Sequence, residues 1–104
     1  MSYIRVYLGD ALQDQFELST DRFTIGRAKD NDLVLNDPAV SAHHAVIIRE
    51  KSGFVIEDNH STNGVYLNNQ RIKRSELTYW DEIQIHNHVL KFMALSRFKA
   101  KRRR

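Results

Sequence analysis

A chain of 104 residues with 41% hydrophobic and 28% charged residues is long enough for one globular domain with its own core. The absence of cysteine excludes disulfides, a thiolate nucleophile and cysteine-ligated zinc, and no apolar run approaches the roughly 20 residues of a membrane helix. The net charge of +3 is unevenly divided, because residues 1–96 carry ten basic and thirteen acidic side chains, whereas residues 97–104 carry six basic ones. The mildly acidic main part argues against a basic fold built to hold nucleic acid.

Apolar and polar residues alternate with a period of two along most of the chain, which predicts short β-strands. In chain order the predicted strands are residues 3–8, 15–18, 22–25, 32–35, 45–49, 54–57, 65–67, 71–72, 82–85 and 89–92. Glycine, asparagine, aspartate and proline mark turns between them, and no segment has a convincing helical period. The pattern predicts an all-β fold, a two-sheet antiparallel β-sandwich of about eleven short strands with functional loops at one end.

Three short signatures follow one another at the ends of predicted strands. They are Ile25-Gly26-Arg27, then Ser41-Ala42-His43-His44-Ala45 with its Ser-x-x-His spacing, and then Ser61-Thr62-Asn63-Gly64 within the loop that starts at Asp58. Each signature alone is weak evidence, because surface arginines, turn serines and polar turns are common. Their occurrence in this order is a more specific observation than any one of them.

The three signatures in this order resemble the forkhead-associated (FHA) domain, and the resemblance runs from about Phe23 to Phe92. It implies an eleven-stranded β-sandwich of the FHA/SMAD type, whose loops at one end bind phosphothreonine peptides. We therefore expect residues 1–95 to form a non-catalytic, phosphothreonine-dependent protein-binding module. We expect no enzyme activity, no cofactor and no metal, and a partner protein phosphorylated by a Ser/Thr kinase.

The resemblance implies two groups of functional residues. Those expected to bind the phosphopeptide are Arg27, Ser41, Thr62 and Asn63. Those expected to structure the loops are Gly26, His44, Gly64 and Asn68. The residue types suit these roles, since a guanidinium can take two phosphate oxygens at once and a serine hydroxyl can donate to a third. An asparagine amide can both donate to and accept from the main chain of an extended peptide.

Simpler explanations exist for each of these residues. Arg27 could be a surface arginine paired with Asp30 or Asp32, and Ser61–Gly64 could be a plain polar turn. The pair Ser41 and His44 could suggest nucleophilic catalysis, but no motif supplies a carboxylate or an oxyanion hole. The three signatures together favour the binding role over these alternatives.

Several positions depart from the pattern that the resemblance implies. Ala42 stands where many relatives have Asn or Arg, which removes one contact to phosphate or peptide and leaves its effect on affinity open. Val65 replaces a frequent threonine, and Asn69, Trp80 and His86 occupy positions where glycine is common. Asparagine tolerates the left-handed region, so we expect a turn at Asn69 to form without glycine.

Residues 96–104 are expected to be a basic, disordered tail or a linker, since the chain looks like one module of a larger protein. The tail could instead contact nucleic acid or an acidic lipid. A phospho-independent protein interaction or oligomerisation domain of the same fold is the alternative function. We expect a cytoplasmic location, or a nuclear one if the source is eukaryotic.

Overall fold

The computed structural model describes residues 1–94, which form eleven β-strands and no helix. The strands are β1 (Ser2–Leu8), β2 (Ala11–Glu17), β3 (Arg22–Gly26), β4 (Leu33–Val34), β5 (Ala45–Glu50), β6 (Gly53–Asp58), β7 (Val65–Leu67), β8 (Gln70–Ile72), β9 (Arg74–Leu77), β10 (Glu82–Ile85) and β11 (His88–Ala94). The predicted all-β fold is therefore confirmed. No helix capable of spanning a membrane occurs in this part of the chain. The predicted basic tail falls outside the described residues.

The strands form two sheets that pack as a sandwich. The six-stranded sheet has the order β2-β1-β11-β10-β7-β8, and the five-stranded sheet has the order β4-β3-β5-β6-β9. Neighbouring strands are antiparallel, apart from β3 and β4, which are parallel. This pair is parallel because the connecting loop doubles back, and Asp32 accepts hydrogen bonds from the backbone N–H (2.8 Å) and the hydroxyl (3.1 Å) of Thr24. The five-stranded sheet is thus mixed at one edge, where the sequence pattern predicts antiparallel pairing throughout.

The core lies between the sheets and consists of aliphatic side chains at alternate strand positions. Ile4 of β1, Ile25 of β3, Ile56 of β6 and Ile83 of β10 are all completely buried. Burying one such side chain contributes about 1.5–3 kcal/mol relative to leaving it in water. Val40 lies in the loop before β5 and is only 1% exposed, so this loop is also fixed to the core.

Two strands differ from those predicted by alternation. β2 begins at Ala11 and not at Gln15, and its first five residues are all exposed, so pairing with β1 determines its conformation. β9 is absent from the predicted strands, since Leu77 is its only buried residue. It forms because it pairs with β6 along the edge of the five-stranded sheet. Alternation reveals strands that bury one face, and neither of these segments does so.

Three long loops meet at one end of the sandwich. β3 is antiparallel to β5 and β5 is antiparallel to β6. The carboxyl ends of β3 and β6 therefore lie beside the amino end of β5. The loops at this end are the β3–β4 loop (27–32), the β4–β5 loop (35–44) and the β6–β7 loop (59–64). All three signatures found in the sequence lie at this end of the fold.

Candidate functional site

Arg27 begins the β3–β4 loop and is held by the β4–β5 loop. Its backbone N–H donates to the carbonyl oxygen of Ser41 (3.0 Å), and its side-chain Nε donates to the carbonyl oxygen of Val40 (2.9 Å). Among the described residues its two terminal nitrogens make no hydrogen bond or ion pair. The hydrogen bond from Nε thus fixes the orientation of the guanidinium, and the two terminal nitrogens can still donate to a ligand.

The alternative ion pairs for Arg27 are not formed. Asp30 instead pairs with Nε2 of His43, its Oδ1 lying 3.0 Å away. The Asp32 carboxylate is occupied by Thr24. The β3–β4 loop thus satisfies its two carboxylates without using the guanidinium of Arg27.

Ser41 connects the β4–β5 loop with the β6–β7 loop. Its Oγ accepts a hydrogen bond from the backbone N–H of Thr62 (3.1 Å). A serine hydroxyl has one hydrogen to donate in addition to the lone pairs that accept. Because the bond from Thr62 uses only a lone pair, the hydroxyl hydrogen of Ser41 remains available to an incoming acceptor.

His44 is completely buried and makes hydrogen bonds through both ring nitrogens. The backbone N–H of Ser41 donates to Nδ1 (3.0 Å), and Nε2 lies 2.8 Å from the carbonyl oxygen of Gly64. Nδ1 therefore acts as an acceptor and Nε2 carries the hydrogen, which assigns the neutral tautomer from its partners. The ring joins the start of the Ser-x-x-His signature to the end of the β6–β7 loop.

Gly26 and Gly64 occupy positions that disfavour a side chain, Gly26 because of a backbone contact and Gly64 because of its left-handed backbone. A Cβ atom on Gly26 would lie 2.3 Å from the carbonyl oxygen of Ala42, so the β3–β4 and β4–β5 loops approach each other through this glycine. Gly64 has a φ of +87°, and a Cβ atom there would lie 2.6 Å from Nε of Arg71. Both glycines therefore allow close contacts that shape the loops.

The two asparagines named from the sequence lie at opposite ends of β7. Asn63 Nδ2 donates to the carbonyl oxygen of Ala39 (2.7 Å), which ties the β6–β7 loop to the β4–β5 loop. Asn68 lies in the β7–β8 turn with a φ of +50°, and its amide bonds the Asp81 carboxylate (2.9 Å) and the Glu82 backbone N–H (3.0 Å). Asn68 therefore braces the turn at the far end of the sandwich, away from the three loops.

Asp37 holds the backbone of the β4–β5 loop in place. Its Oδ1 accepts from the backbone N–H of Ala39 (2.9 Å), and its Oδ2 lies 3.1 Å from Nε2 of His88. The hydrogen bond from Ala39 lowers the pKa of Asp37, partial burial opposes this, and the hydrogen bond and charge of His88 and the charge of His86 lower it further. The loop that carries Val40 and Ser41 is thus fastened to the start of β11.

The side chains of the three loops surround one open depression of about 250 Å³. It is lined by Arg27, Pro38, Ala39, Val40, Ser41, Ala42, Thr62 and Asn63. All four residues expected to bind a phosphopeptide lie on this lining, and of the four residues expected to structure loops, three lie in or beside the same loops. The depression combines free guanidinium and hydroxyl donors with an apolar wall, which suits an anionic group that carries a small hydrophobic substituent.

Sequence reasoning did not identify several residues that support these loops. Asn31 is 8% exposed, and its Nδ2 donates to the carbonyl oxygens of Ala28 and Ala42 (2.8 Å each). Asp58 accepts from the backbone N–H of Ser61 (2.9 Å), whose Oγ in turn accepts from the backbone N–H of Gly64 (2.9 Å). Aspartate, asparagine and serine form such turn bonds in many loops, so their types alone carried no functional signal.

The departures from the resemblance fit the structure. Ala42 presents only a methyl group, but its carbonyl oxygen accepts from the backbone N–H of Ala28 (3.1 Å) as well as from Asn31. Val65 is completely buried in the core. Asn69 and His86 have φ values of +72° and +54°, the left-handed region that glycine adopts most easily. Within residues 1–94, no group of three or more His, Cys, Asp or Glu side chains is placed to hold a metal ion.

Comparison with curated proteins finds relatives that contain a similar segment. The chain is 39% identical over 88 residues to the transcriptional regulatory protein EmbR of Mycobacterium tuberculosis, covering 83% of this chain and 23% of EmbR. It is 34% identical over 79 residues to the oxoglutarate dehydrogenase inhibitor of Corynebacterium diphtheriae, covering 76% of this chain and 55% of that protein. The chain thus spans about a quarter of the first relative and about half of the second.

Comparison with solved structures finds the same fold. The structure of Mycobacterium tuberculosis EmbR in complex with a low-affinity phosphopeptide matches with a TM-score of 0.81 and 34% identity, over 88% of this chain and 24% of that one. The FHA domain of the CT664 protein from Chlamydia trachomatis matches with a TM-score of 0.83 and 24% identity, over 91% and 98% of the two chains. Residues 23–86 match the FHA domain family model. The chain therefore belongs to the FHA domain family.

Proposed function

We propose that this domain is a non-catalytic module that binds a phosphothreonine-containing segment of a partner protein in the depression between its three loops. The observation that carries the proposal is the arrangement around Arg27. Its Nε is fixed on the carbonyl oxygen of Val40, and its terminal nitrogens have no partner among the described residues. The structure of EmbR in complex with a low-affinity phosphopeptide, which matches this chain with 34% identity over 88% of its length, supports the same proposal.

A phosphate dianion would take its donors from separate loops. The guanidinium of Arg27 would bind two of its oxygens, and the hydroxyl of Ser41 would donate to a third. The Thr62 hydroxyl lies on the same lining and adds a donor. The ring of His44 fixes the backbone of Ser41 and Gly64, and the Val40 carbonyl oxygen fixes Nε of Arg27. Because these contacts exist before any ligand arrives, binding would cost little reorganisation.

Asn63 would hold the main chain of the bound segment. Its Nδ2 is occupied by Ala39, but its Oδ1 makes no hydrogen bond with the described residues. An amide oxygen is an acceptor for a backbone N–H of an extended peptide. We infer that the peptide crosses the β6–β7 loop beside the phosphate, with Asn63 accepting from its backbone.

The apolar side of the depression explains why phosphothreonine would bind more tightly than phosphoserine. Pro38, Val40 and Ala42 line the depression together with the polar residues. Burying the extra methyl group of phosphothreonine is worth about 0.8 kcal/mol, which corresponds to about fourfold tighter binding than phosphoserine. The partner would then be a protein phosphorylated by a Ser/Thr kinase. We further propose that the domain acts in the cytoplasm, or in the nucleus if the source is eukaryotic, and that it is one module of a longer protein.

A screen of an oriented phosphothreonine peptide library tests this proposal. The best sequence is then titrated in three forms, with phosphothreonine, with phosphoserine and with unmodified threonine. We expect micromolar binding of the first form, about fourfold weaker binding of the second and no measurable binding of the third. Equal affinity for the first and third forms would overturn the proposal and would favour a phospho-independent interaction domain of the same fold.

A further inference from the structure

Asn63 is the one asparagine of the sequence that is followed by glycine. In an Asn-Gly step the backbone nitrogen of the second residue can attack the side-chain amide of the first, because glycine has no side chain to obstruct the approach. Asn63 and Gly64 also end the β6–β7 loop, and Asn63 is one of the four residues proposed to bind the phosphopeptide. A change in its covalent structure would therefore fall directly on the proposed site.

The reaction available to this step is deamidation through a cyclic imide. The backbone nitrogen of Gly64 forms a bond to Cγ of Asn63 and loses its proton. The bond from Cγ to Nδ2 breaks, and the amide nitrogen leaves with that proton as ammonia. Water then opens the five-membered ring at one of its two carbonyl carbons, which yields aspartate or isoaspartate at position 63. Water is the only co-reactant, and no atom is oxidised or reduced.

The folded loop holds both reacting groups in hydrogen bonds. The backbone N–H of Gly64, which must lose its proton, donates to Oγ of Ser61 (2.9 Å). The leaving nitrogen, Nδ2 of Asn63, donates to the carbonyl oxygen of Ala39 (2.7 Å). The carbonyl oxygen of Gly64 lies 2.8 Å from Nε2 of His44. The peptide group and the side chain that would form the ring are thus fixed at three points.

We propose that the step from Asn63 to Gly64 is a deamidation site that the fold protects, and that Ser61 protects its nucleophilic nitrogen. The reaction requires the loop to open, because the hydrogen bonds to Ser61 and Ala39 must break before the nitrogen can bond to Cγ. Two hydrogen bonds of ordinary strength lower the open population by about 30-fold. The folded domain should therefore deamidate at Asn63 at least about 30-fold more slowly than an isolated peptide of the same sequence.

Deamidation would switch off phosphopeptide binding, a consequence that rests on the proposed function. A carboxylate oxygen would replace Nδ2 and face the carbonyl oxygen of Ala39, with no hydrogen to share between the two acceptors. The new negative charge would also lie on the lining of the depression, beside the phosphate dianion. Repulsion between like charges at this range should weaken binding about tenfold or more. A bound phosphopeptide would stabilise the closed loop, so the free domain should deamidate faster than the bound one.

Ordinary bracing of the loop is the competing explanation for the Ser61 contact. Asp58 accepts from the backbone N–H of Ser61 (2.9 Å), so Ser61 takes part in turn bonds of a common kind. On that explanation, removing the hydroxyl would destabilise the domain as a whole and would speed deamidation at every asparagine. Protection of a single step instead predicts that only Asn63 reacts faster, and the other asparagines are references within the same molecule.

The test is site-resolved mass spectrometry of the folded chain during incubation at neutral pH, with a synthetic peptide of residues 59–69 as the unprotected reference. Ser61→Ala should deamidate at Asn63 about fivefold faster than the wild type, because one hydrogen bond is lost, with no change at Asn87 in the exposed β10–β11 turn. Ser61→Thr should react at the wild-type rate, since it keeps an accepting hydroxyl.

Ser52→Ala is the matched control. Ser52 lies exposed in the β5–β6 turn and makes no side-chain hydrogen bond with the described residues, so this variant should deamidate at Asn63 as slowly as the wild type. A wild-type rate equal to that of the peptide, a rate that Ser61→Ala leaves unchanged, or an equal acceleration at Asn87 would each overturn the protection by Ser61.

Titration of Asn63→Asp with a phosphothreonine peptide tests the consequence separately. We expect binding about tenfold weaker than that of the wild type, or weaker still. Unchanged affinity would overturn the switch and leave the protected site standing. A wild type that ignores the phosphate would overturn the proposed function and the switch, whereas the deamidation rates at Asn63 would still decide the protection.

Discussion

Single buried polar side chains determine the shape of the loop end. His44 connects a backbone N–H of one loop to a carbonyl oxygen of another, and its own backbone N–H and carbonyl oxygen bond Ile25 (2.8 Å) and Asn59 (2.9 Å). A residue with four such bonds and no exposed surface is costly to replace, since its former partners would be left unpaired in the interior. The proposed phosphate donors thus depend on a residue that does not line the depression.

Replacing His44 by alanine should lower the free energy of unfolding by about 3 kcal/mol, from lost hydrogen bonds and from the cavity. Urea denaturation of the wild type and the variant measures this difference. His43→Ala is the matched control, because the His43 side chain is exposed and bonds only Asp30 among the described residues, and the change should cost about 0.5 kcal/mol or less. Equal losses in the two variants would show that the internal network of His44 adds no stability.

Gly26→Ala should be more damaging than a typical glycine substitution. The added methyl group would lie 2.3 Å from the carbonyl oxygen of Ala42, and this contact is with backbone that cannot rotate away. We expect a loss of about 3 kcal/mol by thermal or urea unfolding. Gly9→Ala separates this clash from backbone strain, because Gly9 has a φ of +62° and free space around its Cβ position. It should cost about 1 kcal/mol, and a larger cost at Gly9 than at Gly26 would contradict the steric account.

The resemblance named four residues that the structure brings together around the depression, but it did not indicate their contacts, and their binding role stays a prediction. Arg27, Ser41, Thr62 and Asn63 are brought together as the order of the signatures implied. The packing of Arg71 on Gly64 had no signal, because an arginine in a polar hairpin has the same sequence pattern whether or not it contacts a distant loop. Contacts between loops depend on how the sheets are paired, which single residue types do not encode.

The strands were predictable to the extent that they bury one face. β3, β10 and β11 alternate, β5 and β6 contain short apolar runs, and all five are predicted to within about two residues of their ends. The polar start of β2 and the whole of β9 were missed, because hydrogen bonding to β1 and β6 determines them. The parallel β3–β4 pair was missed for a similar reason, since the Asp32–Thr24 hydrogen bonds that return the chain join residues eight positions apart.

The β4–β5 loop should make stability depend on pH through Asp37. Because the pKa of Asp37 is lowered in the folded state, chiefly by the Ala39 hydrogen bond, its contribution is present above its unfolded pKa. This contribution is lost as the pH falls below about 4 through the folded value. We therefore expect Asp37→Asn to be less stable than the wild type at pH 6, with the difference shrinking toward pH 3.

Urea denaturation at a series of pH values measures this effect. Asp10→Asn serves as the reference, because Asp10 lies exposed in the β1–β2 turn and makes no side-chain hydrogen bond with the described residues. The free energy of unfolding of Asp10→Asn should vary with pH in the same way as that of the wild type. If the free energies of unfolding of Asp37→Asn and the wild type differed by the same amount at every pH, the Asp37 carboxylate would not be the source of the pH dependence.

At the scale of the whole molecule, charge is divided unevenly between residues 1–96 and residues 97–104. Residues 97–104 hold six of the sixteen basic residues, whereas all thirteen acidic residues precede them. The proposed site uses Arg27, which is anchored within the sandwich, so phosphopeptide binding should not require the basic segment. A nucleic-acid function for that segment would instead show a steep dependence on salt.

Deleting residues 97–104 should therefore leave phosphopeptide affinity within about twofold of the full chain at 0.15 M salt, where long-range attraction is screened. Fluorescence anisotropy with a labelled phosphothreonine peptide measures this change. A deletion that abolished peptide binding would move the binding determinant out of the sandwich and contradict the placement of the site.

The most direct measurement is a calorimetric titration of one phosphothreonine peptide into the wild type, Arg27→Ala and Arg22→Ala. Arg22 is an exposed arginine at the start of β3, the strand that leads into Arg27, and its guanidinium has no partner among the described residues. Losing a charge-assisted contact to phosphate costs about 2–3 kcal/mol, so Arg27→Ala should bind on the order of 30- to 150-fold more weakly, while Arg22→Ala binds within about twofold of the wild type. Unchanged affinity in a folded Arg27→Ala variant would contradict the account.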